Sequence, residues 1–369
     1  MKLTISFNLS LFIMPIKYPL LLLLLFVVIC TANNSCTKSP ASSPIVPPPI
    51  DTTIHSTSIV NVYVAGTTII RGINQAVYWK NGLMTNIPSG PYSFATCIYV
   101  YNNDVYTAVQ GAGLDSFNYW KNTTGVVLPD TLGFGSVTTA LTISKANIYA
   151  TGTEHEYPYF GYGALYWKNN DYALHLVPPD PPTSHDSWGK AITVDNQDVY
   201  IAGYLDYKAV YWKNGNIIHL PADTFLYTYS NANAICINNK DVYVAGTLNL
   251  NAQSNPQYES IATYWKNDKP FRLTRDTGSV ANSITVVGND IYVAGAIYSI
   301  ADGFRAAYWK NGKLFILSSI YSVANAIAVN GTDVFIAGNI NATHATYWKN
   351  GIPTSLGDGQ ANAIFITDK

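Results

Sequence analysis

The chain is short of charge. Only 12% of its 369 residues are Asp, Glu, Lys or Arg, and the formal net charge is −1. That balance excludes a disordered polyelectrolyte and offers no basic footprint for nucleic acid. Cysteine is equally scarce, with four at positions 30, 36, 97 and 236. Two of them lie in or just behind an apolar leader, so the body keeps at most two, too few for a disulfide framework. Long hydrophobic runs are missing apart from Leu20–Ile29, "LLLLLLFVVI". That run has the length of a signal-peptide core and falls short of the roughly 20 apolar residues that span a bilayer.

Lys17 precedes the run, and Ser35 and Cys36 follow it at the head of "CTKSPASSPIVPPPI". This resembles a bacterial lipoprotein junction, which implies a leader over residues 1–36 and lipid on Cys36. Cys30, behind bulky Ile29, is the second candidate, and an uncleaved signal anchor is the rival reading. Residues 37–56 carry prolines at 40, 44, 47, 48 and 49 among Ser and Thr, the composition of a semi-rigid tether. The expected product is an exported protein of the bacterial cell envelope, an outer-membrane or surface lipoprotein whose domain stands off the membrane.

What the chain has in plenty is repetition. Tyr-Trp-Lys begins at Tyr78, Tyr119, Tyr166, Tyr211, Tyr264, Tyr308 and Tyr347, each time followed by Asn. Ahead of each lies a "DVYVAG"-like run, starting at Asn61, Asp104, Asn147, Asp198, Asp241, Asp290 and Asp333. Self-similarity at about this period marks a propeller blade or a helical repeat. Val, Ile, Tyr and Thr dominate the phrases, and Asn-Gly turns such as Asn214–Gly215 and Asn311–Gly312 punctuate them, so strands are favoured. Each repeat supplies four, as in "ANAIAV", "DVFIAG", "ATYWK" and "KLFIL". The first repeat has no well-formed "ANAI" strand, and the C-terminal "ANAIFI" (361–366) offers the missing one. The expectation is therefore an all-β, seven-bladed propeller over residues 57–369. Its blades are four-stranded and antiparallel, and the two chain ends pair in one blade, which removes exposed sheet edges.

Side-chain size agrees with such a taper. The first strands are small at Ala95/Cys97, Ala232/Ala234, Ala281/Ser283, Ala324/Ala326 and Ala361/Ala363. Seven of the eight tryptophans fall in the third strands and are assigned to packing between blades. Cys97 and Cys236 fall on first strands and read as small core residues. The pattern resembles kelch-type repeats, with "YVAG" where kelch has a double glycine, and is similar to bacterial extracellular repeats of the form "A-x-W-x-N-G…L…A-x-I-N". The resemblance covers about residues 57–367 and implies a fold, while propellers serve many functions.

Loop length separates two faces. The turns after the first and third strands are short and uniform, whereas the other two connections vary. Asp198 to Tyr211 spans 13 residues and Asp241 to Tyr264 spans 23. Variable loops on a rigid frame are where binding residues concentrate. The longest lie around repeats three to five: "TEHEYPYFGYG" (153–163), "LVPPDPPTSHDSWGK" (176–190) and "PADTFLYTYSNAN" (221–233). They supply Glu154, His155, Glu156, Tyr157, Tyr159, His185, Asp186, Trp188, Tyr227 and Tyr229 as candidate ligand contacts. Aromatics beside a few polar groups suit glycan or peptide recognition, although such rings also pack their own loops. Lys190 joins the list because Thr96, Thr139, Asn233, Asn282, Asn325 and Asn362 hold its place elsewhere. It is the one charge among polar groups expected to hydrogen-bond around a central channel, and it offers an anion contact.

Enzyme signatures are mostly absent: no "S-x-D-x-G-x-T-W" box of sialidase-type propellers, no tryptophan-docking motif of quinone propellers, no "D-x-D-x-D-G", no "H-E-x-x-H". Glu154-His155-Glu156 with His185 and Asp186 is the one group whose residue types could build a metal site or an acid–base pair. The sequence therefore points to a monomeric, non-catalytic binding module without cofactor or metal, its ligand a glycan, a peptide or an envelope protein. The alternatives are a hydrolase or lyase working through Glu154, His155, His185, Asp186 and Lys190, or a structural scaffold.

Overall fold

The computed structural model describes residues 60–111, 118–129, 135–156, 161–169, 171, 173–176, 186–222, 229–249, 260–275 and 278–369, without the side chains of His155 and Glu156. The leader, the tether and Cys36 lie outside these residues.

Every described element is a strand paired antiparallel to its neighbours. In chain order the first is β1 (Val60–Ile70), followed by β2 (Ile73–Lys80) and β3 (Leu83–Asn86). Five four-stranded sheets come next. They are β4 (Ser93–Tyr101) to β7 (Thr124–Val126), β8 (Ser136–Ser144) to β11 (Leu174–His175), β12 (Ser187–Asp195) to β15 (Asn216–His219), β16 (Tyr229–Asn238) to β19 (Lys269–Arg272), and β20 (Ser279–Val287) to β23 (Lys313–Ile316). In each, sequence order is spatial order. The last strands are β24 (Ser322–Asn330), β25 (Asp333–Ile340), β26 (His344–Lys349) and β27 (Ile352–Asp368). The chain is an all-β propeller built of four-stranded antiparallel blades.

The expectation of seven separate blades meets five four-stranded sheets and one seven-stranded sheet, in the order β24-β25-β26-β27-β1-β2-β3. The reason lies in β27. Its first residues pair with β26 (Lys349↔Ile352 to His344↔Asp358) and its last with β1 (Thr68↔Gly359 to Val60↔Asp368). One uninterrupted strand thus serves as the outermost strand of one repeat and the first strand of another.

Both sides of each sheet are packed. All seven third-strand tryptophans are at most 1% exposed, and Ala95, Ala232, Ala281, Ala324 and Ala361 on the first strands are fully buried. Trp212 shows the arrangement: it lies with Ile192, Ile201 and Val210 in a core shared with Ala140 and Ala164 of the preceding sheet. Cys97 and Cys236 are free thiols whose burial pushes them up to about 11 and about 12, values that keep them protonated and inert.

The repeated Asn after Tyr-Trp-Lys has a mechanical role. Asn81, Asn122, Asn169, Asn214, Asn267, Asn311 and Asn350 all have positive φ, between 46° and 56°, which Asn tolerates better than most residues. Each turns its Oδ1 back to accept from the second strand of its own repeat, as in Val199 N–H to Asn214 Oδ1 at 2.8 Å. The preceding Lys lies over the aromatic ring of that strand, as Lys213 does over Tyr200 at 5.2 Å. In five repeats it also meets an Asp, as Lys213 meets Asp198 at 3.0 Å. These clusters pin the face with the uniform turns.

The opposite end of each first strand carries a bulge. The register shift falls at Thr96, Thr139, Lys190, Asn233, Asn282, Asn325 and Asn362, the positions that the sequence set apart. A bulge frees one residue from its own ladder and re-aims its side chain. Six of the seven use that freedom alike, donating to a carbonyl of the following first strand. The links run Thr96 to Thr139 O, Thr139 to Gly189 O, Asn233 to Ala281 O, Asn282 to Ala324 O, Asn325 to Ala361 O and Asn362 to Ala95 O. Lys190 is the exception. Its Nζ donates to side chains of the next strand, Asn233 Oδ1 at 3.1 Å and Asn231 Oδ1 at 3.4 Å.

Candidate functional site

On the variable-loop face, rings from three neighbouring sheets fall into a row. Tyr162 of β10 (Gly161–Lys168) contacts Trp188 of β12, ring centroids 5.4 Å apart. Trp188 is the direct cross-strand partner of Tyr204 on β13 (Asp198–Leu205). Tyr204 stacks at 6.4 Å and 3° on Tyr207 in the turn that follows, and Tyr207 meets Tyr229, the first residue of β16, at 5.2 Å. The Tyr207 carbonyl accepts from Ser230 N–H at 2.9 Å, tying the turn to the next sheet. Tyr207 is 54% and Tyr162 43% exposed. Two-torsion side chains held this way lose little freedom on contact with a ligand and present flat apolar faces.

Polar groups lie along the row. Asp186 and Asp206 are joined through backbone and side chain: Asp206 N–H donates to Asp186 O at 2.8 Å, and Asp186 N–H to Asp206 Oδ1 at 3.1 Å. Burial raises the Asp186 carboxyl above its usual range, and the Asp206 carboxylate adds to the rise. A hydrogen bond from the Tyr204 hydroxyl acts the other way. One oxygen of that carboxylate, Oδ1, is buried without a hydrogen-bond partner among the described residues. The Tyr204 phenol is pushed up to about 12, by burial first and by Asp186 second. The Tyr204 ring in turn lies 5.5 Å from Lys190 Nζ. Burial brings that ammonium down to about 8, because moving a charge out of water disfavours it. A carboxylate, a phenol and an ammonium thus follow one another from the loop face into the bulge ring.

Of the residues singled out in the sequence, Asp186, Trp188, Lys190 and Tyr229 meet in this cluster. Glu154 goes elsewhere. It is 1% exposed, and its Oε1 lies 3.1 Å from His175 Nε2. Its ladder partner is Gly163, which has no side chain, and two residues further along β10 Leu165 pairs with His175. We therefore leave Glu154 out of the ligand surface. His155 and Glu156 extend β9 (Asn147–Glu156) by backbone pairing with Tyr162 and Gly161. Tyr157, Tyr159, His185 and Tyr227 lie outside the described residues. Sequence reasoning missed Tyr204, Tyr207, Asp206 and His175. The signal for the first three was there, since "YLDY" (204–207) closes the second strand of repeat four with two aromatics and an acid. His175 carried no comparable signal.

No group of three or more His, Cys, Asp or Glu able to hold a metal occurs among the described residues. No protein-family model and no curated protein matches the chain. Solved structures resemble it weakly. The computationally designed Ika8 protein is 16% identical, over 74% of this chain and 78% of that one, with a TM-score of 0.42. An exo-1,5-alpha-L-arabinanase from a bovine ruminal metagenomic library is 10% identical, over 62% and 99%, with a TM-score of 0.36. The polysaccharide lyase Uly1 is 12% identical, over 77% and 82%, with a TM-score of 0.37. Likeness at this level carries no argument about activity.

Proposed function

We propose that the chain is an exported, non-catalytic binding module, tethered through Cys36 at a bacterial cell envelope. It holds a glycan on the aromatic row of its variable-loop face. The frame in this reading is a seven-bladed ring in which β27 closes one blade and opens the next by pairing with β1. The cyclic order of bulge contacts, returning from Asn362 to Ala95, favours seven. A kelch-like origin for the repeats rests on their residues alone.

The observation that carries the binding reading is the row Tyr162, Trp188, Tyr204, Tyr207 and Tyr229, five rings from three sheets with two of them open to solvent. Flat apolar rings interspersed with an acid and a base match a sugar's apolar face and hydroxyl rim. The test is a glycan array with a peptide library alongside, probed with the full chain, Trp188→Ala and Tyr207→Ala. Retention of one glycan class that falls at least tenfold in both variants is the expected result. Binding that ignores both variants refutes the site, and a peptide hit lost in both moves the ligand to the peptide class.

A second reading has its own support. The Asp186–Tyr204–Lys190 succession joins a raised carboxyl to a lowered ammonium, and opposed shifts of this kind are how acid–base pairs are set in hydrolases and lyases. Release of shortened or unsaturated products from the retained glycan, abolished by Asp186→Asn with binding intact, would establish it.

A further inference from the structure

Between the sheet of β8–β11 and that of β12–β15 is a cavity of about 240 Å³, lined by Tyr149 and Tyr166, by the aliphatic Leu174, Leu176 and Val199, and by the polar Lys168, Gln197 and Asn214. The two rings lie side by side, centroids 6.4 Å apart and 11° from parallel.

Comparison with the other repeats shows what marks this one. In five repeats the lysine of Tyr-Trp-Lys is closed off by the Asp that opens the second strand, with Nζ–O distances of 2.7 to 3.0 Å. In the third repeat that residue is Asn147. Lys168 lies over the Tyr149 ring at 5.7 Å and has no carboxylate partner among the described residues. The outer strands differ as well. Opposite Tyr264 and Tyr308 stand Phe271 and Phe315, stacked on them at 5.0 and 4.8 Å. Opposite Tyr166 stands Leu174, a smaller residue than those two phenylalanines, as are Thr85, Val126, Ile218 and Thr354 in the other repeats, and here the pairing residue lines the cavity. Asn147 in place of Asp thus leaves Lys168 without that ion pair at the edge of the cavity.

We infer that this cavity binds a small aromatic carboxylate, its ring against Tyr149 and Tyr166 and its carboxylate on Lys168 Nζ. The aliphatic side chains of Leu174, Leu176, Val199 and Ile201 favour an apolar ring over a fully hydroxylated one. The volume lies below the range for drug-sized ligands and suits a single ring. Gln197, also on the rim, offers an amide to a ring substituent. The lysine supplies a charge-assisted hydrogen bond, and the neighbouring ring keeps its ammonium in place.

The test is titration calorimetry of the full chain with 4-hydroxybenzoate and, in parallel, with uncharged 4-hydroxybenzamide. Saturable binding of the acid is expected, with the amide and Lys168→Met each weakening it roughly tenfold or more. Asn147→Asp restores the ion pair that five repeats already carry. It is therefore expected to remain folded, with an unchanged melting midpoint, and to lose binding likewise. Lys80→Met, at the other lysine whose repeat opens with Asn (Asn61), is expected to bind as the parent does. No saturable binding of the acid, equal binding of the amide, or unchanged binding in Lys168→Met or Asn147→Asp would each overturn the inference.

Discussion

Replacing Lys190 by Asn is expected to make the protein more stable. Six bulge residues donate to the next first strand's carbonyl, and Lys190 instead holds a charge in a part-buried place. Its ammonium titrates at about 8 where the ordinary value is 10.5. At about 1.36 kcal/mol per pH unit, that gap corresponds to about 3 kcal/mol of disfavoured charge at neutral pH. Contacts to Asn231 and Asn233 are lost in the variant, so a net gain of about 1–2 kcal/mol is expected. An Asn here is expected to reach the Ala232 carbonyl, the acceptor that the pattern of the other repeats assigns. The sign of the pH dependence follows from the direction of the shift. Between about pH 8 and 10.5 the unfolded chain binds a proton at residue 190 that the folded chain has released, so wild-type stability rises with pH across that window. Urea unfolding of both proteins at pH 7 and pH 10 reads both effects: the variant leads at pH 7, and because the wild type gains about 2–3 kcal/mol between the two, it draws level with the variant or overtakes it at pH 10. A variant less stable than wild type at pH 7, or a difference that does not change with pH, would refute the reasoning. Confirmation would make Lys190 a residue held against stability, as functional positions often are.

Two further outcomes follow from the packing and the uniform face. Trp265 Nε1 donates to the Pro221 carbonyl at 2.8 Å, whereas the equally buried Trp212 Nε1 has no acceptor among the described residues; Trp265→Phe should therefore cost about 1 kcal/mol more than Trp212→Phe in urea unfolding, because only the first loses a hydrogen bond. The carboxyls of Asp104 (Lys121, then Asn122) and Asp198 (Asn214, then Lys213) are held below their ordinary 3.8 by hydrogen bonds from the residues named, and Asp241 and Asp290 by the corresponding Lys and Asn. Their contribution is complete above pH 3.8 and is lost as pH falls from there through the folded values, so thermal midpoints should hold level down to about pH 4 and decline below it.

Much of the frame was legible because it is local and repeated. The strand content, the turn at each Asn, the small first strands and the burial of seven tryptophans all follow from residue types at a fixed period, read seven times over. The bulge was half legible. Its position stood out as polar among small apolar neighbours, while its link to the next strand did not, because Asn362 meets Ala95 across 267 residues of sequence. The site was less legible still. Proximity on the chain grouped Glu154 with His155 and Glu156, but a strand sends successive side chains to opposite faces, and tertiary packing set Glu154 against His175. The aromatic row needs three sheets side by side, so Tyr204 and Tyr207 gained meaning only once Trp188 and Tyr229 stood next to them.

By itself, then, the sequence determined the repeating unit and the residues that build it, since those depend on contacts within one blade. The tertiary structure alone decided that β27 runs unbroken from one repeat into the next, that Lys190 reaches the asparagines of the next first strand, and that Lys168 lines a cavity. Each of these depends on how neighbouring sheets face one another, and that geometry is set by residues far apart in the chain.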